Sequence, residues 1–188
     1  MLARKLHAFV ITAALGASLF SPFAQADTVR AQPQTEAQAQ IAKRLDSFES
    51  TAANLRYVAD HYAASVRSTN LHIQSHRNGL NQVKERVNTL GGELNKLEAV
   101  KAQGTPLQQM AITEARPHLE AVAGRVQTAI VMLNEDQRSH RSQDFRETVK
   151  DIQEHADNLY TQVDTITDYE KARDRVANVP VLAGPESL

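Results

Sequence analysis

The chain of 188 residues contains no cysteine. Without a thiol it can form no disulfide, thiolate zinc site, iron–sulfur cluster, thioether-linked haem or lipidated cysteine. Tryptophan is also absent and aromatic residues make up only 5%. Phe48, Tyr57, Tyr62, Phe145, Tyr160 and Tyr169 read as core filler rather than as the lining of a cofactor box. No GxSxG, P-loop or HExxH motif occurs, which removes the commonest local signatures of hydrolases, nucleotide-binding enzymes and zinc proteases. No glutamate is followed three residues on by histidine, as a carboxylate-bridged di-iron site in a helical bundle would need. Excess charge is missing as well. The formal net charge is −1, and a nearly neutral surface argues against nucleic acid or anionic lipid as the main partner.

What is present is enough apolar material for a core, 41% hydrophobic against 23% charged residues. Residues 1–26 read as a secretory signal. Arg4 and Lys5 form the positive end, Ala8 to Phe20 the apolar stretch, and Ala24-Gln25-Ala26 the small-x-small cleavage pattern. The stretch is 13 residues long, too short for a bilayer that takes about 20 helical residues. No later segment is apolar enough to span a membrane. The expected location is periplasmic or secreted. Once the leader is removed, 19 basic residues face 22 acidic ones, a net charge of −3. Residues 27–34 read as a flexible lead-in, 35–177 as the folded domain and 178–188 as a flexible C-terminal tail.

The domain is dominated by helix formers, with apolar residues at alternating steps of three and four. Four such stripes occur. Ile41, Leu45, Phe48, Ala52, Leu55, Ala59, Tyr62 and Val66 form the first, and Ile73, Leu80, Val83, Val87, Leu90, Leu94 and Leu97 the second. Ile112, Leu119, Val122, Val126, Ile130 and Leu133 form the third, and Phe145, Val149, Ile152, Leu159, Val163 and Ile166 the fourth. Each stripe is one helix face wide and needs partners. Strand-like alternation is absent, so the fold class is all-α.

The stops differ in strength. Gly104-Thr105-Pro106 ends one helix and caps the next. Asn134 to Asp144 is polar, and the apolar phase slips across it. At Ser68-Thr69-Asn70 the residues favour caps, yet the three–four spacing continues from Ile41 to Leu97. A turn there gives an antiparallel up-down four-helix bundle. A continuous helix gives a long two-helix coiled-coil hairpin instead. Thr69 and His76 in the seam, with Gly79 close by, suit the bundle better than an uninterrupted coiled coil. Pro117 inside the third helix predicts a kink. Gly91-Gly92 weakens the second helix, and close helix approach is the ordinary explanation for such a pair.

Histidine supplies the only cluster with chemical potential. In an up-down bundle His61, His72, His76 and His140 fall at one end. His72 and His76, four apart, can share a helix face as two imidazole ligands of one divalent metal would. Asp60, Glu135 and Asp136 are candidate oxygen ligands beside them. His76 also lies on the apolar seam, where a hydrogen-bonded core histidine fits equally. An axial Met110–His155 pair for haem is disfavoured, since the two sit at different heights in the bundle. Glu114–His118, Asp136–His140 and Asp151–His155 read as surface helix pairs.

The run Leu71-His72-Ile73-Gln74-Ser75-His76 and the run Lys84-Glu85-Arg86-Val87-Asn88-Thr89-Leu90-Gly91 are similar to an uncharacterised family of secreted bacterial helical proteins. The similarity continues in Pro106-Leu107-Gln108-Gln109-Met110-Ala111-Ile112, in Pro117-His118-Leu119 and in Asp168-Tyr169-Glu170-Lys171-Ala172. It implies a four-helix bundle with a turn near Asn70, and it implies no activity. Ile73 and Leu107 stand where such relatives carry tryptophan, which removes an aromatic docking role there. The resulting expectation is an exported, non-enzymatic bundle without a cofactor, acting on another cell-envelope protein or on a second copy of itself. The alternative is a metal- or small-ligand-binding bundle that uses its histidine-rich end.

Overall fold

A computed structural model describes residues 35–67 and 71–177. Four helices carry the fold: α1 (Glu36–Val66), α2 (Ile73–Glu98), α3 (Pro106–Glu135) and α4 (Gln143–Ala177). Short 3₁₀ turns at Lys101–Gln103 and Ser139–Arg141 precede α3 and α4. Helix α1 packs on α2, α2 on α3, α3 on α4, and α4 returns to α1, while the α1–α3 diagonal scarcely meets. This is the antiparallel four-helix bundle. Because α1 and α2 end and begin at Val66 and Ile73 and lie side by side, the continuous-helix alternative is excluded. Residues 68–70 themselves lie outside the described residues, as do the signal-peptide, lead-in and tail segments at 1–26, 27–34 and 178–188. Among the described residues no helix is long and apolar enough to cross a membrane.

The helix starts follow from local chemistry. Thr35 and Thr105 each form a capping box with the glutamine three residues on. Thr35 Oγ1 accepts from Gln38 N at 3.3 Å, and Gln38 Oε1 accepts from Thr35 N at 2.9 Å. The corresponding Thr105–Gln108 distances are 3.2 and 3.1 Å, with Pro106 in the first turn where its missing N–H costs nothing. Ser142 Oγ accepts from Phe145 N at 3.1 Å and starts α4. Helix α3 continues through Pro117, which is exposed.

Nearly every residue of the four stripes is buried, with Phe48, Leu55, Val83, Leu90, Ile112, Phe145, Ile152 and Leu159 at the centre. Ile73 and Ile130 are half-buried and pack against the core margin. Alanines also contribute to the core: Ala52, Ala59, Ala111, Ala129 and Ala156 are each 0% exposed. The Gly91-Gly92 pair does not serve close approach. A Cβ at either position would meet nothing within 4 Å, so the sequence-based explanation is corrected. The glycine that does serve it is Gly79 in α2, whose missing Cβ would lie 2.4 Å from Tyr62 Cδ2 on α1.

Polar ties knit the end opposite the α1–α2 connection. Thr105 Oγ1 donates to Glu170 Oε1 on α4 at 2.5 Å. Gln108, fully buried, donates from Nε2 to Gln38 O on α1 at 3.2 Å. Hydrogen-bonding partners are what make such buried polar groups tolerable.

Candidate functional site

The end of the bundle where α1 meets α2 gathers the histidines, though not as one set of ligands. His72 is the N-cap of α2, and its Nδ1 accepts from Gln74 N at 3.3 Å. One turn later His76 points inward and is 2% exposed. Its ring stands edge-on to Tyr62 and to Phe145, with centroids 6.2 and 5.5 Å away. His140, in the 3₁₀ turn before α4, lies 5.1 Å from the His76 ring. His61 is exposed on α1 beside Tyr57. The structure therefore pairs His76 with His140 and leaves His61 and His72 in other roles. Among the described residues no three of histidine, aspartate or glutamate stand close enough to hold a metal ion.

Burial governs the protonation of this cluster. Desolvation, and then the neighbouring His140, lower the pKa of His76 and favour the neutral ring. Burial pushes the Tyr62 phenol well above its ordinary range, so it keeps its proton. The Tyr62 hydroxyl lies 3.5 Å from His76 Nδ1, a long contact in which the phenol donates when Nδ1 carries the lone pair. His140 Nδ1 lies 2.5 Å from Gln137 O. A carbonyl only accepts, so that nitrogen carries a proton. In two of the three sequence-predicted acid–histidine pairs the acid takes another partner. Asp136 Oδ1 accepts from Arg138 N at 2.8 Å, and Asp151 pairs with Arg125 at 3.2 Å. Asp60, a suggested metal ligand, instead accepts from Gln153 at 2.7 Å.

Outside this aromatic cluster lies a groove of about 500 Å³ between α1, α2 and the turn before α4. Arg67, Arg141 and Arg146 line it together with His76 and His140, and no carboxylate does. Sequence reasoning passed over these arginines. Part of the signal was present, since Arg141 and Arg146 stand five residues apart where the polar stretch before α4 meets the helix.

A second surface feature runs along the seam of α1 and α4. Arg56 pairs with Asp157 at 2.7 Å and lies over the Tyr160 ring, 5.0 Å from its centroid. Next to it Tyr57 is 68% exposed on a well-formed helix. Arg56, Tyr57, Asp60, Lys150 and Tyr160 share the wall of one open groove there. The remaining exposed large apolar residues, Met110, Val131, Tyr169 and Val176, are dispersed over α3 and α4. No family model matches this chain, and neither a curated protein nor a solved structure is significantly similar to it.

Proposed function

We propose that this chain is an exported, non-enzymatic helical bundle that acts by binding another protein of the cell envelope through the seam of α1 and α4. The observation that carries the reading is Tyr57, a large side chain 68% exposed on a rigid helix beside a mixed-charge groove. Tyrosine and arginine are enriched among residues that dominate binding energy, because they bring contact area together with a polar handle. Arg56 is already oriented by Asp157 and Tyr160, so little of its freedom remains to be lost on association. The core is filled mainly by aliphatic, alanine and phenylalanine side chains, and the charged and tyrosine side chains along the α1–α4 seam lie in an open groove where a partner surface can reach them.

The test is site-specific photo-cross-linking in intact cells that export the protein. A benzoyl-phenylalanine at position 57 is compared with one at Glu85, exposed on α2. A discrete adduct from position 57 and none from position 85 supports the reading. An adduct of twice the chain's mass would move the assignment to self-association, and equal or absent cross-linking at both positions would end it.

A further inference from the structure

The net charge is close to zero, yet positive charge is concentrated at one place. We infer that the groove between the end of α1 and the turn before α4 is a binding site for a phosphoryl group, carried by a small molecule or by a lipid headgroup. Arg67 closes α1, Arg141 closes the 3₁₀ turn, and Arg146 lies in the first turns of α4. All three are exposed, and all three line the same groove with His140. Among the described residues none of the three guanidinium groups has a carboxylate partner within ion-pair distance.

Among the carboxylates that line the adjoining grooves, Glu147 accepts from Gln143 Nε2 at 2.7 Å and Asp136 from a backbone N–H, while Glu135 lines the groove on the Arg141 side without an ion pair to Arg141. Arg146 Nη1 donates to Arg141 O at 2.8 Å. This bond holds its planar fork at the rim and ties α4 to the turn that presents Arg141. Guanidinium groups match phosphate oxygens in both charge and geometry. A groove of about 500 Å³ accommodates a small organic phosphate. Three cations brought together without counter-charge repel one another, and a bound oxyanion relieves that repulsion. Arg67 also lines the groove at Tyr57 on the α1–α4 seam, whereas Arg141 does not, so Arg141→Gln tests this site independently of the seam.

The experiment is calorimetric titration of the full chain with inorganic pyrophosphate, alongside flotation with phosphatidylcholine vesicles with and without phosphatidylglycerol. Arg141→Gln and Arg67→Gln are compared with Arg86→Gln, a change at an exposed arginine on α2. Saturable pyrophosphate binding, weakened about tenfold by each groove variant and unchanged by Arg86→Gln, assigns a soluble phosphate ligand. Flotation only with phosphatidylglycerol, lost in the groove variants and without pyrophosphate binding, assigns a headgroup. If neither probe binds, or if the groove variants bind as Arg86→Gln does, the site is refuted. Circular dichroism of each variant separates loss of the site from loss of the fold.

Discussion

Substituting alanine for glycine separates two roles that the same residue plays in this bundle. An exposed helical glycine gains up to about 1 kcal/mol on conversion to alanine, through backbone entropy alone. Gly91, Gly92 and Gly124 have nothing within 4 Å of a new Cβ, so each of these changes raises stability by about 0.5–1 kcal/mol. Gly79 reverses the sign. Its Cβ would stand 2.4 Å from Tyr62 Cδ2 and 2.7 Å from Cε2, whereas ordinary contacts begin near 3.4 Å. The ring must retreat by about 1 Å, and with Tyr62 only 4% exposed it has no free space to enter. Overpacking of this kind costs about 1–3 kcal/mol. Set against the propensity gain, Gly79→Ala loses about 1–2 kcal/mol net, or about 4–8 °C in Tm for a domain of this size. Urea and thermal unfolding measure all four variants. The decisive addition is the Tyr62→Leu background, where Gly79→Ala turns neutral or stabilising because the ring is gone. A Gly79→Ala protein more stable than the parent in the original background would refute the packing argument.

Two further outcomes follow from groups described above. His76 has a folded-state pKa below its unfolded value of 6.5, so the unfolded chain takes up that proton first. Its contribution to stability is full above about pH 6.5 and is lost as pH falls from there towards the folded-state pKa. The urea midpoint therefore falls between pH 8 and pH 5, and His76→Gln flattens that fall; an unchanged slope in the variant would remove His76 as its source. Thr105 both caps α3 and binds Glu170, which is 6% exposed. Thr105→Ala costs about 2 kcal/mol, from a lost cap and a buried carboxylate left with only the longer contact to Arg173 at 3.7 Å. Thr105→Ser restores most of this in chemical denaturation, and equal loss in both variants would deny the hydroxyl its role.

The helices and their faces were legible because apolar periodicity and capping residues are local signals. Thr105-Pro106 starts α3 where its chemistry says, and the stripe from Ile41 to Val66 is buried throughout. Three kinds of feature were hidden. Alanine does not declare its side in a composition, yet Ala111, Ala129 and Ala156 are fully buried. Gln108 and Glu170 look like surface residues until the bundle brings Gln38 and Thr105 to them across 70 and 65 positions. The end cluster was half visible. His72 and His76 share a helix and a spacing, but their roles diverge, because the cap residue points its nitrogen at the backbone while the residue one turn on faces inward. His140 joins His76 only through the shape of a loop, and no periodicity encodes that.

The ring-like order of the helices bears on how the chain can be assembled. Three of the four packed pairs join helices adjacent in sequence, and α1 with α4 alone spans the domain. That long-range seam is fastened by Gln153 on Asp60 and Thr167 on Glu49, across 93 and 118 positions. Adjacent helices can therefore meet as local hairpins, while the seam waits for the largest loop to close. A circularly permuted chain, opened after Arg67 and rejoined through a linker from Ala177 to Thr35, keeps every packed pair. It turns the seam into a local hairpin and leaves α1–α2 as the pair that must close last.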